Sequence, residues 1–258
     1  MNKETKFLAF ATQKGGAGKS VFSVLMASML HYKMDYNVVV VDCDFPQYSI
    51  FQMRERDIKL INEDERYKRM YDNQQERLQK RPYTVLCSPA ENAIDVVRTY
   101  LASCEEHIDV VIFDLPGTIK SVGVLQCIAF LDYVFTPITS DRIVLESSLS
   151  FAITVQQSLV QNSIYAVRDI RLFWNMVDQR ERTDLYDIYN ESIESLGLRI
   201  LQTTLPDTKR FKKELRKDGR AAFRSTLFPP NSKMLHGSRF DHLVAEIIEI
   251  IKLKPNEQ

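Results

Sequence analysis

Near the amino end, Gln13-Lys14-Gly15-Gly16-Ala17-Gly18-Lys19-Ser20 brings three glycines, two lysines and a hydroxyl together. Glycine accepts backbone angles that turn successive N–H groups into one concavity, and such a nest holds anions. The amides from Gly15 to Ser20, with the positive end of a helix starting near Lys19, offer fixed donors to a polyphosphate. Lys19 is placed to bridge the β- and γ-phosphates, and the Ser20 hydroxyl to ligate Mg²⁺, a hard cation that prefers octahedral oxygen donors. Gly15, Gly16, Ala17, Gly18, Lys19 and Ser20 are therefore the candidate nucleotide-binding residues. The pattern G-x-x-x-x-G-K-[ST] puts glycine where Gln13 stands, so the loop is a variant, and Lys14 is an added cation.

A metal–triphosphate site also needs carboxylates. The run Val38–Val41 ends in Asp42-Cys43-Asp44, and the run Val110–Phe113 ends in Asp114-Leu115-Pro116-Gly117. In a doubly wound sheet, ligands gather at the carboxyl ends of the strands. Asp114 would hold a Mg²⁺-bound water, while Gly117 lets the next loop approach the γ-phosphate. Strand alternation puts Asp42 and Asp44 on one side, facing the nucleotide. Asp44 is the candidate for positioning the attacking water, and Asp42 is a second carboxylate for metal and catalysis. A lone aspartate ending a strand is more often a helix cap or turn residue. The phosphate loop changes that weighting, because hydrolysis needs both a metal and a positioned water.

These residues need a scaffold of strands ending at one edge. Apolar, β-branched runs supply it at Lys6–Thr12, Asn37–Asp42, Tyr83–Cys87, Asp109–Asp114, Tyr133–Pro137, Ile170–Val177 and Leu198–Leu201. Between them lie segments of helical spacing, beginning with a buried helix over Val21–Tyr32, and a packed last helix is expected over Phe240–Leu253. The order is repeated βαβ, which predicts one α/β domain over residues 1–258 with a three-layer, doubly wound, mostly parallel sheet. Two segments break the rhythm. Arg54–Arg81 is densely charged with both signs and reads as one or two exposed helices inserted after the second strand. Pro206–Arg224 carries Lys209, Arg210, Lys212, Lys213, Arg216, Lys217, Arg220 and Arg224 against only Asp207, Glu214 and Asp218.

The 258-residue chain has zero formal net charge, so any attraction to nucleic acid must be local. No signal-peptide h-region and no run of eighteen apolar residues is present, which leads us to expect a cytoplasmic protein. The four cysteines, Cys43, Cys87, Cys104 and Cys127, are far apart and form no C-x-x-C pair, so neither a zinc site nor a cluster site is expected.

Lys14 to Ser20, Asp42-Cys-Asp44 followed by Pro46-Gln47, and Asp114-Leu-Pro-Gly117 together resemble the ParA/MinD family of deviant Walker A ATPases. Phe135-Thr-Pro137 through Glu146 and Leu205-Pro206 extend the likeness over nearly the whole chain. The resemblance implies a phosphate-loop NTPase fold, ATP and Mg²⁺ as ligands, and a homodimer in the ATP state in which Lys14 reaches the partner's nucleotide. It also implies that Asn175 reads adenine, with Pro206 close to the base. The absence of an amino-terminal helix-turn-helix resembles the shorter ParA proteins, in which carboxy-terminal lysines and arginines bind DNA nonspecifically; Lys209–Arg224 is the matching region. Such a protein works with a ParB-like activator, or with transfer machinery if the likeness to conjugative TraA-type proteins holds, and associates with the nucleoid when ATP is bound. The alternative is a MinD-like membrane-positioning ATPase, but Asp241, Glu246 and Glu249 oppose the basic face that an anionic membrane favours. The chain departs from the family at Phe45, inserted before the usual Pro-Gln, and at Val21, which replaces a second hydroxyl.

Overall fold

Strands rich in Val, Ile and Phe are stable in the middle of a sheet only if both faces are covered, and this sheet is covered on both. The computed structural model describes residues 4–13, 16–117, 121–178, 183–217 and 222–254. Its seven strands are β1 (Lys6–Phe10), β2 (Val38–Asp42), β3 (Thr84–Cys87), β4 (Val110–Asp114), β5 (Tyr133–Ile138), β6 (Asp169–Trp174) and β7 (Arg199–Ile200). They lie in the order β3-β2-β4-β1-β5-β6-β7, every neighbouring pair parallel. This is the expected doubly wound α/β architecture. The expected strand positions hold within a few residues, and β7 is the shortest.

Strand alternation divides the core in two. Leu8, Phe10, Val38, Val40, Val110 and Ile112 face one side, under α1 (Lys19–Lys33) and the last helix (Phe240–Ile251). Ala9, Val39, Val41, Val111 and Phe113 face the other, under α4 (Ala93–Ser103), α5 (Val122–Ala129) and α6 (Arg142–Val155). Phe22 of α1 sits at the centre of the first side, its ring 5.2 Å from Phe173 and 5.8 Å from Phe10. The last helix buries Phe240, Leu243, Val244, Ile247 and Ile251, as its spacing predicts. Helix α6 runs on into a π turn, Gln156–Val160; the combined 19 residues are apolar and long enough to cross a membrane by length and composition. Their buried side chains, Leu145, Ser148, Phe151, Ala152, Val155 and Leu159, face the protein core instead.

The charged insertion, expected as one or two exposed helices, is partly buried. It is two helices, α2 (Ser49–Glu63) and α3 (Glu65–Leu78), broken at Asp64, whose carboxylate caps α3 through the Arg66 N–H. The pair is not a wholly solvated face. Ile61 and Tyr67 form a small closed cluster with Leu215, Leu227 and Phe228, because alternating charges on the outer face leave an apolar stripe within.

Candidate nucleotide site

The phosphate loop joins the central strand β1 to α1. Lys14, Gly15 and Arg220 lie outside the described residues. Gly16 and Gly18 have φ of +85° and +95°, and a Cβ on Gly18 would stand 3.0 Å from the Phe22 ring, so the turn requires glycine there. Gly18 caps α1 without a side-chain acceptor, which leaves the first N–H groups of the helix for a ligand. Behind the loop, buried Asn175 donates from Nδ2 to the Ala17 carbonyl (3.1 Å) while its Oδ1 accepts the Met176 N–H (2.9 Å). Two residues on, Val177 bridges Pro206 and exchanges backbone bonds with Leu205 and Asp207. The fold thus brings Asn175 and Pro206 together beside the loop.

Beneath Lys19, strand register sets the carboxylates side by side: Asp114 pairs with Phe10 of β1 and with Asp42 of β2. Asp114 is 1% exposed. It takes a hydrogen bond from the Ser20 hydroxyl and one from Ser23 Oγ at 3.2 Å. Burial pushes its pKa up to about 7; the Asp42 charge adds to the rise, and Ser20, Lys19 and Ser23 hold it back. Burial in turn lowers the Lys19 ammonium, opposed by the charges of Asp114 and then Asp44, so the lysine faces both acids. Ser23 was missed in the sequence. Its signal was there, since three residues after Ser20 a side chain shares the same helix face.

Asp42 is fully buried and differently served. Its Oδ2 accepts the N–H groups of Ile50 (2.8 Å) and Phe51 (3.0 Å), and its Oδ1 that of Asp44 (3.3 Å). Burial raises its pKa against the pull of these bonds. Its first effect is to hold the start of α2 and the turn before it. In that turn the Asp44 carbonyl accepts from Gln47 (2.8 Å) and Tyr48 (2.9 Å), and Phe45 projects outward, 63% exposed. The inserted Phe45 therefore bulges away while Asp44 stays half-buried beside Lys19.

Among the described residues, no group of His, Cys, Asp or Glu forms a protein-only metal cage. A Mg²⁺ ion that keeps its waters and shares phosphate oxygens needs only one or two protein donors. A buried carboxylate that, among the described residues, takes hydrogen bonds from two serine hydroxyls, one of them Ser20, fits that requirement.

The basic segment is divided by the structure. Arg210 donates to the Met234 and His236 carbonyls, and Arg224 pairs with Glu214, so both are structural ties. Lys217 reaches Glu63 at 2.8 Å. Lys209, Lys212, Lys213 and Arg216 are exposed.

The sequence of residues 8–219 matches the family model described as the CobQ/CobB/MinD/ParA nucleotide binding domain. The chain belongs to this family. Among solved structures it is similar to a putative plasmid partition protein from Borrelia burgdorferi bound to AMPPNP (20% identity, 84% of this chain and 93% of that one, TM-score 0.53). It is similar also to the cobyrinic acid a,c-diamide synthase of Mycobacterium smegmatis with ADP and magnesium (18%, 99% and 100%, 0.58) and to the MinC:MinD complex of Aquifex aeolicus (8%, 98% and 99%, 0.58). At these identities the likeness speaks for the fold. No curated protein matches the chain.

Proposed function

We propose that this family member is an ATP-dependent switch of the ParA type, working in DNA partitioning or conjugative transfer as one domain with an α2–α3 insertion. ATP brings two copies together, the dimer binds DNA without sequence preference, and slow hydrolysis, stimulated by a ParB-like or transfer-machinery partner, releases it. The carrying observation is Asp114, buried beneath Lys19 and, among the described residues, hydrogen-bonded by the Ser20 and Ser23 hydroxyls. A fold shared with an AMPPNP-bound partition protein and an ADP–magnesium enzyme supports ATP and Mg²⁺ as the ligands.

In this reading the loop amides and Lys19 hold the phosphates, and Ser20 and Asp114 hold Mg²⁺, directly or through water. Bound there, Mg²⁺ would neutralise charge on the phosphates during transfer. Asp44 orients the attacking water, Asp42 fixes the turn that carries Asp44 and adds charge near the metal, and Lys14 acts on the partner's nucleotide. Asn175 and Pro206 border the base. Exposed Lys209, Lys212, Lys213 and Arg216 meet DNA phosphates, in a protein that is cytoplasmic and nucleoid-associated while ATP is bound.

The test is sedimentation of purified protein with ATP and Mg²⁺, alone and with unrelated DNA duplexes or anionic liposomes. Dimers that bind all duplexes alike, together with an Asp44→Ala variant that binds ATP without turnover, are expected. Pelleting with liposomes instead of DNA would move the protein to the MinD-like reading, and unchanged turnover in Asp44→Ala would remove Asp44 from its role.

A further inference from the structure

Helix α2 is tied at its start and again at its middle to two different regions of the chain. At its start, the Ile50 and Phe51 N–H groups are held by Asp42, which adjoins Asp114 in the sheet. Farther along, Asp57 is 2% exposed, and its Oδ2 receives Ser225 Oγ (2.9 Å), the Thr226 N–H (2.7 Å) and Thr226 Oγ1 (2.9 Å). Arg54, on the same face, donates to Thr226 Oγ1 and to the Thr226 carbonyl, both at 3.0 Å, and lies over the Tyr83 ring. Helix α3 adds Tyr67 Oη to the Arg216 carbonyl (2.8 Å) and Gln74 Nε2 to the Leu227 carbonyl (2.8 Å). The insertion therefore holds the chain at residues 214–217, within the basic segment, and at residues 225–228, just after it.

We propose that α2 is the transmission element between the two regions. Filling the phosphate site shifts the Asp42–Asp44 turn, α2 follows as a rod about 22 Å long, and Asp57 and Arg54 reset how Lys209, Lys212, Lys213 and Arg216 are presented. The inference rests on the ATP-switch reading. The physical reason is that neither grip can slip cheaply: parting Asp42 from α2, or Asp57 from Thr226, would leave a buried carboxylate short of donors. Moving the helix as a body is the easier response. Such coupling is reciprocal, so a duplex on the basic segment must change nucleotide affinity by the factor by which nucleotide changes duplex affinity, commonly about 5- to 150-fold.

Hydrogen exchange on the full chain, with and without AMPPNP and Mg²⁺, tests this in wild type, Asp57→Asn and Tyr67→Phe. In wild type, nucleotide should slow exchange in peptides covering the phosphate loop and alter it at 209–217 and 222–228. In Asp57→Asn the loop response should persist while the distant one falls about fivefold or more. Tyr67→Phe, which deletes one hydroxyl, should diminish it less and serves if Asp57→Asn does not fold. Loop protection in wild type without any distant change would overturn the coupling alone, as would a distant response undiminished in both variants. If AMPPNP protects nothing, the ATP reading falls, and the coupling with it.

Discussion

Asp114 at the end of β4 and Asp57 within α2 are both buried acids, yet their surroundings are opposite. Asp57 is closed: three donors converge on one oxygen, and Arg54 stands by with its charge. Asp114 has two serine hydroxyls, a neighbouring acid in Asp42 and a lysine itself destabilised by burial, and its pKa is pushed up to about 7. A buried charge is tolerated only when paired and hydrogen-bonded. Asp57 meets that condition within the chain, where it ties α2 to Ser225 and Thr226. Asp114 does not meet it among the described residues, and in the proposed reading its compensation is a cation that arrives from outside.

The largest expected effect breaks the comparison at Asp114. Asp114→Asn should cut Mg²⁺-dependent nucleotide affinity by about 100-fold or more while making the ligand-free protein more stable at pH 8. The sign follows from linkage. The folded-state pKa is raised from the ordinary aspartate value of 3.8 to about 7, so the native state binds more protons across that window and stability falls as pH rises through it. Asparagine carries no such loss. Its advantage in Tm should be marked at pH 8 and small at pH 4, and calorimetry at both pH values, with titration of nucleotide, would check it. Undiminished nucleotide affinity would mean that Asp114 serves no cation.

Asp57→Ala should do the reverse. Removing the acceptor strands three donors and the Arg54 charge, which costs about 3 kcal/mol of stability. Nucleotide affinity should stay within a few-fold of wild type in equilibrium dialysis. A loss of affinity as large as that of Asp114→Asn would erase the distinction between the two acids.

Why one acid was legible in the sequence and the other was not is a matter of what each touches. Asp114 ends an apolar strand in a pattern whose chemistry is known, and parallel register then places it under Lys19. The strands themselves were legible because fully buried parallel strands must be continuous apolar runs, as Val38–Val41 and Val110–Phe113 are. Asp57 sits among charges of both signs, and its partners, Ser225 and Thr226, lie far along the chain. Asp42 was read as facing the nucleotide, but its nearest partners are backbone N–H groups, which no residue identity announces. The basic run is read no more finely for the same reason: a charge count does not separate Arg224, paired with Glu214, from exposed Lys212.

That division gives a smaller effect. Replacing Lys209, Lys212, Lys213 and Arg216 together by alanine should leave Tm unchanged, weaken duplex binding and flatten its log-affinity against log-salt slope by up to about 4. Arg224→Ala should instead lower stability by about 1–2 kcal/mol, since it leaves Glu214 half-buried without its closest partner. Anisotropy over a salt series, beside thermal melts, separates the two. A flattened slope in Arg224→Ala alone would show that the paired arginine, and not the exposed lysines, meets phosphate.

The smallest effect tests how finely Asp114 is poised. Ser23 Oγ is shared between the Lys19 carbonyl (3.1 Å) and Asp114 Oδ1 (3.2 Å), so it is a weak donor to the carboxylate and not its main support. Ser23→Ala should cost less than about 1 kcal/mol, because the hydroxyl lost has an alternative acceptor one turn back. It should also raise the Asp114 pKa further, since burial is then opposed by Ser20 and Lys19 alone. Mg²⁺ binding must expel any proton on Asp114. The pH at which Mg²⁺-dependent nucleotide binding reaches half its maximum should therefore move upward by a few tenths of a unit, about 0.3, while affinity at pH 9 stays at the wild-type level. A midpoint that moves downward would mean that Ser23 accepts from a protonated Asp114, and the acid would then be held neutral by design.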